Sequence, residues 1–197
     1  MSEFSELSSV PTKEWDTSLA PLIDDIQGRP LNIHCLLASH PQLLQAWWPF
    51  RNYYVTGGSL GRRSAEIVIL RTAVHVRSWY EWASHVQRGL KVGLTLVDIE
   101  RVIDGPNAPG WAAKDAALLK AVDELESDGA LSARTINTLA QHFDQKQILD
   151  LIAIRGTYMM LATFLKTAEI ELDEHVQEDL PKSVSAHHFQ ARLGGQP

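Results

Sequence analysis

The twenty residues from Glu66 to His85 constrain the fold of this chain more than any other stretch. They read E-x11-S-x2-E-x3-H, with Ser78 and Glu81 as the inner members. Between the ionisable groups lie Ile67, Val68, Ile69, Leu70, Val74, Val76, Trp79 and Trp82, a composition that belongs in a core. Ionisable groups placed there cost free energy unless they are paired, and buried pairs of that kind are where acid–base chemistry concentrates. One unbroken helix would hold Glu66 about 28 Å from His85, at about 1.5 Å per residue. For the two to cooperate, the segment must break between them or a second subunit must supply one of them. A break is expected at His75-Val76-Arg77, because Ser78-Trp79-Tyr80-Glu81 has the form of a capping box, with Ser at the N-cap and Glu at N3. A helix restarting at Ser78 lays Glu66 back against it. On that helix Ser78, Glu81 and His85 fall at about 0°, 300° and 340°, one face within roughly 60°.

Each of these residues also has a bland reading. Ser78 and Glu81 can do no more than satisfy free backbone N–H groups. His85 can be a satisfied core histidine, and Glu66 an ion-pair partner of Arg63 or Arg71. The conjunction favours chemistry: Glu81 and His85 as an acid–base pair, i, i+4 neighbours that share a proton, with Glu66 as relay and Ser78 as a hydrogen-bonding or capping residue. Arg71, Arg77, Tyr80 and Arg155 are the candidate substrate-binding residues. Arg155 has two readings, a clamp on a substrate carboxylate or a charge at a subunit interface. Glu81-x3-His85 also has the spacing of a two-point metal site to which His75 and His142 would add ligands. No Cys2His2 or H-E-x-x-H pattern supports it, and no metal is expected.

The rest of the chain reads as helical. Apolar positions recur at three- and four-residue spacing, with no lasting strand-like alternation. Helices are expected over about 16–27, 31–38, from Pro41 through the aromatic cluster Trp47, Trp48, Phe50, Tyr53 and Tyr54, then in the two motif segments, and over about 96–103, 111–127, 132–142 and 144–170. The last is apolar on most of its circumference and is expected to be central. The aromatic cluster is core or subunit interface, or else a pocket wall. Residues 1–14 are expected to be loose, 15–180 to form one helical domain, and 181–197, poor in large apolar residues, to be a flexible tail.

The whole-chain balance narrows the classes. At 197 residues with 45% hydrophobic side chains, one domain can bury a full core. A net charge of −6 with no basic stripe argues against nucleic acid as a partner. The start lacks the pattern of a signal peptide, and no membrane span is expected. The single cysteine, Cys35, cannot form an internal disulfide, and a cytoplasmic location fits that.

The chain resembles the carboxymuconolactone decarboxylase and alkylhydroperoxidase AhpD-like superfamily. The resemblance is carried by Ala65 to Arg71, Ser78 to Val86, Gly89, Gly93-Leu94 and Ile99. It extends to Asn32 through Leu37 with His40-Pro41, and to Gly105-Pro106 through Trp111, Ala116 and Ala121 to Leu125, covering roughly residues 31–172. It implies an all-α, AhpD-like helical bundle that assembles as a trimer or hexamer. The peroxidase branch carries E-x11-C-x2-C-x3-H. Here Glu66 and His85 match its Glu and His, while Ser78 and Glu81 stand at the cysteine positions. Neither can cycle through a disulfide, which disfavours thiol peroxidase chemistry. The resemblance therefore points to the cysteine-free, decarboxylase-like branch. There a small carboxylated lactone or enolisable acid would lose CO2 or isomerise without a cofactor. A reading from another class is a non-catalytic, oligomeric binding member of the fold, which a cavity plugged by Trp79 or Trp82 would favour.

Overall fold

The computed structural model describes residues 7–194. Their secondary structure is α-helix and 3-10 turn, and no strand occurs among the described residues. Two 3-10 turns lead into α1 (Ala20–Asp25), α2 (Asn32–Leu37) and α3 (Pro41–Val55). Then come the motif helices α4 (Arg62–His75) and α5 (Trp79–Lys91), followed by α6 (Leu96–Asp104), α7 (Ala113–Asp128), α8 (Ala133–Leu139) and α9 (Gln145–Thr167). Two short helices, α10 (Glu174–Glu178) and α11 (Ala186–Arg192), close the chain. The all-α expectation is met.

The centre is α4. Its residues from Ala65 to Val74 are all buried, and it packs against α5, α6, α7 and α9. The expectation of a central α9 is therefore corrected. That helix is, by length and composition alone, long and apolar enough to cross a membrane, as the core helix of a folded domain can also be. In the fold it lays Leu151, Ile154, Leu161, Ala162 and Leu165 inward, while Leu149, Ile152 and Met160 stay on the outside.

Two apolar clusters result. One gathers around α4, α7 and the inner half of α9. The other joins Trp15, Leu19, Leu44, Trp47 and Trp48 to Leu161 and Leu165. The aromatic segment thus divides: Trp47, Trp48 and Tyr54 are core, while Phe50 and Tyr53 are exposed. The turn from α3 into α4 depends on Gly57, at φ +88°, where an added Cβ would lie 2.5 Å from the Arg62 backbone nitrogen.

Both termini are more tied down than their sequences indicate. The Val10 N–H donates to the Cys35 carbonyl at 2.9 Å, and the Trp15 indole donates to Val10 O. At the other end Phe189 is 1% exposed and stacks on Trp82 at 5.0 Å between ring centroids. Arg192 pairs with Glu100 and Asp104, and His188 also reaches Glu100. The tail is thus docked as far as residue 194, because a single well-placed aromatic ring suffices. Residues 1–6 and 195–197 lie outside the described residues.

Candidate functional site

The break between α4 and α5 falls where the capping pattern placed it. Val76 caps α4, and Arg77 follows in the left-handed region at φ +51°. The Arg77 N–H donates to Val74 O and the Ser78 N–H to Ala73 O at 3.2 and 3.0 Å, a Schellman closure. Ser78 then serves as N-cap of α5, its Oγ accepting from the Glu81 N–H at 3.4 Å. The reciprocal half of the box is missing. Instead of reaching back to the Ser78 backbone, the Glu81 carboxyl turns inward, where neither oxygen has a hydrogen-bond partner. Ser78 is accordingly a cap outside the cavity described below.

The hairpin sets Glu66 against His85. His85 Nδ1 lies 2.6 Å from Glu66 Oε2, and His85 Nε2 lies 3.0 Å from Arg88 Nη1. A guanidinium only donates, so Nε2 accepts and the proton sits on Nδ1, donated to Glu66. The imidazole in this arrangement is neutral. Burial lowers its proton affinity, and the Glu66 carboxylate only partly offsets this because Arg88 adds to the lowering. Glu81 is also neutral for the same first reason: burial raises its pKa well above the usual carboxyl value. Glu81 and His85 do not hydrogen-bond to each other, so the expectation of a directly shared proton is corrected. They are separate groups, a buried carboxylic acid and a buried neutral base.

Glu66, Glu81 and His85 all line one cavity of about 290 Å³, at the seam between the two apolar clusters. Tyr80, Tyr158 and His34 are among its other walls. The Tyr158 ring meets His85 edge-on at 4.8 Å between centroids. The Tyr80 hydroxyl donates to Asp173, so Tyr80 contributes its ring to the wall while its oxygen is engaged. His34 is held neutral, its pKa lowered to about 3 mainly by burial and further by Arg51 and Arg88. Its Nδ1 accepts the Leu31 N–H. Trp79 and Trp82 turn away from the cavity and pack on Phe189.

The arginines expected at the site are elsewhere. Arg71 is consumed by a fork onto Asp123 at 2.5 and 3.0 Å and by the carbonyls of Val102 and Ile103. Arg77 is the exposed turn residue, donating to Leu193 O. Arg155 pairs with Glu126 at 2.6 Å on the outer side. In their place stand Arg51 and Arg88, half-buried in the wall, with Arg62 and Lys91 exposed at the rim. Four cationic side chains around one cavity contrast with the net −6 of the whole chain. The signal for Arg88 was in the sequence: on an ideal helix it falls at about 280°, next to Glu81. Arg51 gave none, since only tertiary packing brings α3 to this wall. His75 is bound to Asp123 at 2.6 Å, and no cluster of three metal-ligating side chains occurs among the described residues.

Residues 41–124 match the profile of the carboxymuconolactone decarboxylase family. No curated protein matches the sequence. Among solved structures the fold is similar to an AhpD-core, peroxidase-related protein from Ralstonia eutropha JMP134, with TM-score 0.75 at 15% identity over 86% of this chain and 93% of that one. It is also similar to the debrominase Bmp8 in complex with 2,3,4-tribromopyrrole, with TM-score 0.73 at 10% identity over 87% and 94%. A putative antioxidant defence protein AhpD from Agrobacterium tumefaciens gives TM-score 0.64 at 19% identity over 70% and 94%.

Proposed function

Given that residues 41–124 match the carboxymuconolactone decarboxylase family and the fold is AhpD-like, we propose that the protein is a cofactor-free acid–base enzyme of that superfamily. Its substrate would be a small carboxylated lactone or enolisable acid, which it decarboxylates or isomerises. The observation that carries the reading is Glu81: a buried carboxylic acid, unpartnered and held neutral, facing the cavity that also holds the His85–Glu66 pair. A group kept protonated near neutral pH is what general-acid catalysis needs.

The chemistry follows from that arrangement. Cleavage of the bond between the carboxylate and the ring or chain carbon releases CO2 and leaves the electron pair in an extended enolate. The cationic wall supplied by Arg51 and Arg88 stabilises the enolate oxygen. Glu81 delivers its proton to the carbanionic carbon and is itself reprotonated from solvent. For isomerisation, His85 Nε2 removes the proton and Glu81 returns one at the neighbouring position. Glu66 holds the imidazole in the Nδ1–H tautomer and stabilises the imidazolium. Thiol peroxide reduction has no support at this site, since Ser78 and Glu81 occupy the cysteine positions and Cys35 lies in α2, outside the cavity lining.

The test is a screen of lactones, β-keto acids and vinylogous acids for CO2 release or a shifted double bond, followed by Glu81→Gln on a substrate that loses CO2 and by His85→Ala on a substrate that is isomerised. Full activity in either variant on its substrate would refute the mechanism.

A further inference from the structure

Arg88 bonds a histidine where an acid would be the usual partner. Its Nη1 donates to His85 Nε2 at 3.0 Å, and among the described residues it forms no ion pair and no other hydrogen bond. A guanidinium carries five donors in a fixed fork and stays charged at any ordinary pH. Here one donor is used, and the group lines the cavity together with Arg51. Arg51 donates to the Asn52 side chain and lies 4.7 Å over the Trp48 ring, likewise without a carboxylate. Two half-buried cations of like sign face the same space, and the pKa of Arg51 is lowered by burial and further by Arg88.

The Arg88 contact also blocks the base. Nε2 is the only free acceptor on His85, because Nδ1 is committed to Glu66. The other groups facing the imidazole are Tyr158 from α9, Glu81 one turn earlier on α5, and Arg51 and His34 on the far walls. None of them competes for Nε2 by hydrogen bonding.

We propose that Arg88 gates His85: an anion entering the cavity draws the guanidinium off Nε2 and onto itself, freeing Nε2 to act on that same molecule. A carboxylate or enolate offers two acceptors that fit the fork and makes stronger, charge-assisted bonds than an imidazole nitrogen does. Its negative charge beside His85 then favours the protonated ring, so binding takes up a proton from solvent. A neutral isostere that binds without engaging Arg88 leaves the base blocked. The anion requirement thus becomes a property of the catalytic machinery as well as of affinity. This rests on the reading of the cavity as the active site, where Arg88 binds the anion itself and in doing so releases His85.

The experiment uses benzoate as the probe anion, a flat monocarboxylate suited to aromatic walls, with benzamide as the neutral control. His85 is followed by its imidazole ¹⁵N signals across a pH titration. Benzoate is expected to raise the pH at which His85 titrates, and benzamide to leave it in place. Arg88→Met should raise that titration even without benzoate and weaken benzoate binding about ten- to hundred-fold. Arg88→Lys keeps a cation but loses the fork, and should also raise the titration. No benzoate binding at millimolar concentration, His85 signals unmoved by it, or Arg88 variants that leave both readouts unchanged would each overturn the gate. Turnover of a screened acid with unmoved His85 signals overturns the gate alone. A benzoate-linked His85 shift in a protein inert to every screened acid overturns the enzyme reading and leaves standing only the anion-driven release of Nε2 from Arg88.

Discussion

Glu66 Oε2 and His85 Nδ1 sit 2.6 Å apart, although nineteen residues separate them in sequence. The left-handed Arg77 and the Ser78 cap make this possible, turning two core helices into a hairpin. If this pair is the base and its orienting partner, losing His85 costs a general-base contribution of about 10²–10⁴ in rate. On an isomerised substrate His85→Ala should show that fall in kcat/KM, and Glu66→Gln a smaller one, with folding unchanged by circular dichroism. Equal rates for the wild type and His85→Ala would rule out the assignment.

Glu81 should leave a mark on stability as well. Its folded-state pKa is raised above the ordinary 4.5 by burial. Such a group's stabilising contribution is complete below 4.5 and is lost as pH rises toward the folded value. Glu81→Gln removes the titration. The variant should therefore gain on the wild type as pH climbs above 4.5, by up to about 1.4 kcal/mol per pH unit until the folded-state pKa is passed. Urea melts at four or five pH values measure this, and a difference that stays flat with pH would contradict it.

Ser78 is assigned a structural task. Ser78→Ala should cost about 0.5–2 kcal/mol by denaturant melts, the usual value of an N-cap. The specific activity of the folded fraction should be retained. A large loss of kcat with no loss of stability would move Ser78 into the chemistry.

The outer face of α9 carries Leu149, Ile152 and Met160, exposed with nothing among the described residues to cover them. We expect a second copy to do so, in the homo-oligomer, trimer or hexamer, that the family resemblance implies. Light scattering should give a mass that is a multiple of 22.0 kDa, and Leu149→Asp with Ile152→Asp should reduce it to one protomer. A monomeric wild type at micromolar concentration would refute the expectation.

The sequence disclosed the hairpin because two independent local signals coincided: a capping box at Ser78 and an acid and a histidine too far apart to meet on one helix. It misplaced the arginines because charge partners are set by tertiary packing. Arg71 is taken by Asp123, fifty-two residues away, and Arg155 by Glu126. It misread the tail because counting large apolar residues undervalues one ring, Phe189, which stacks on the Trp82 indole. It rated α9 as central because periodicity measures how much of a helix is apolar and does not say which chain buries it. The inward turn of Glu81 was equally hidden, since a capping box and a half-box share one sequence.

The most direct measurement is kcat/KM for CO2 release by Glu81→Gln, on a carboxylated substrate that the wild type turns over. The amide matches the acid in shape but cannot give up a proton to carbon. The account predicts a loss of about 10²–10⁴-fold in a protein that stays folded. A rate within about threefold of the wild type would contradict it.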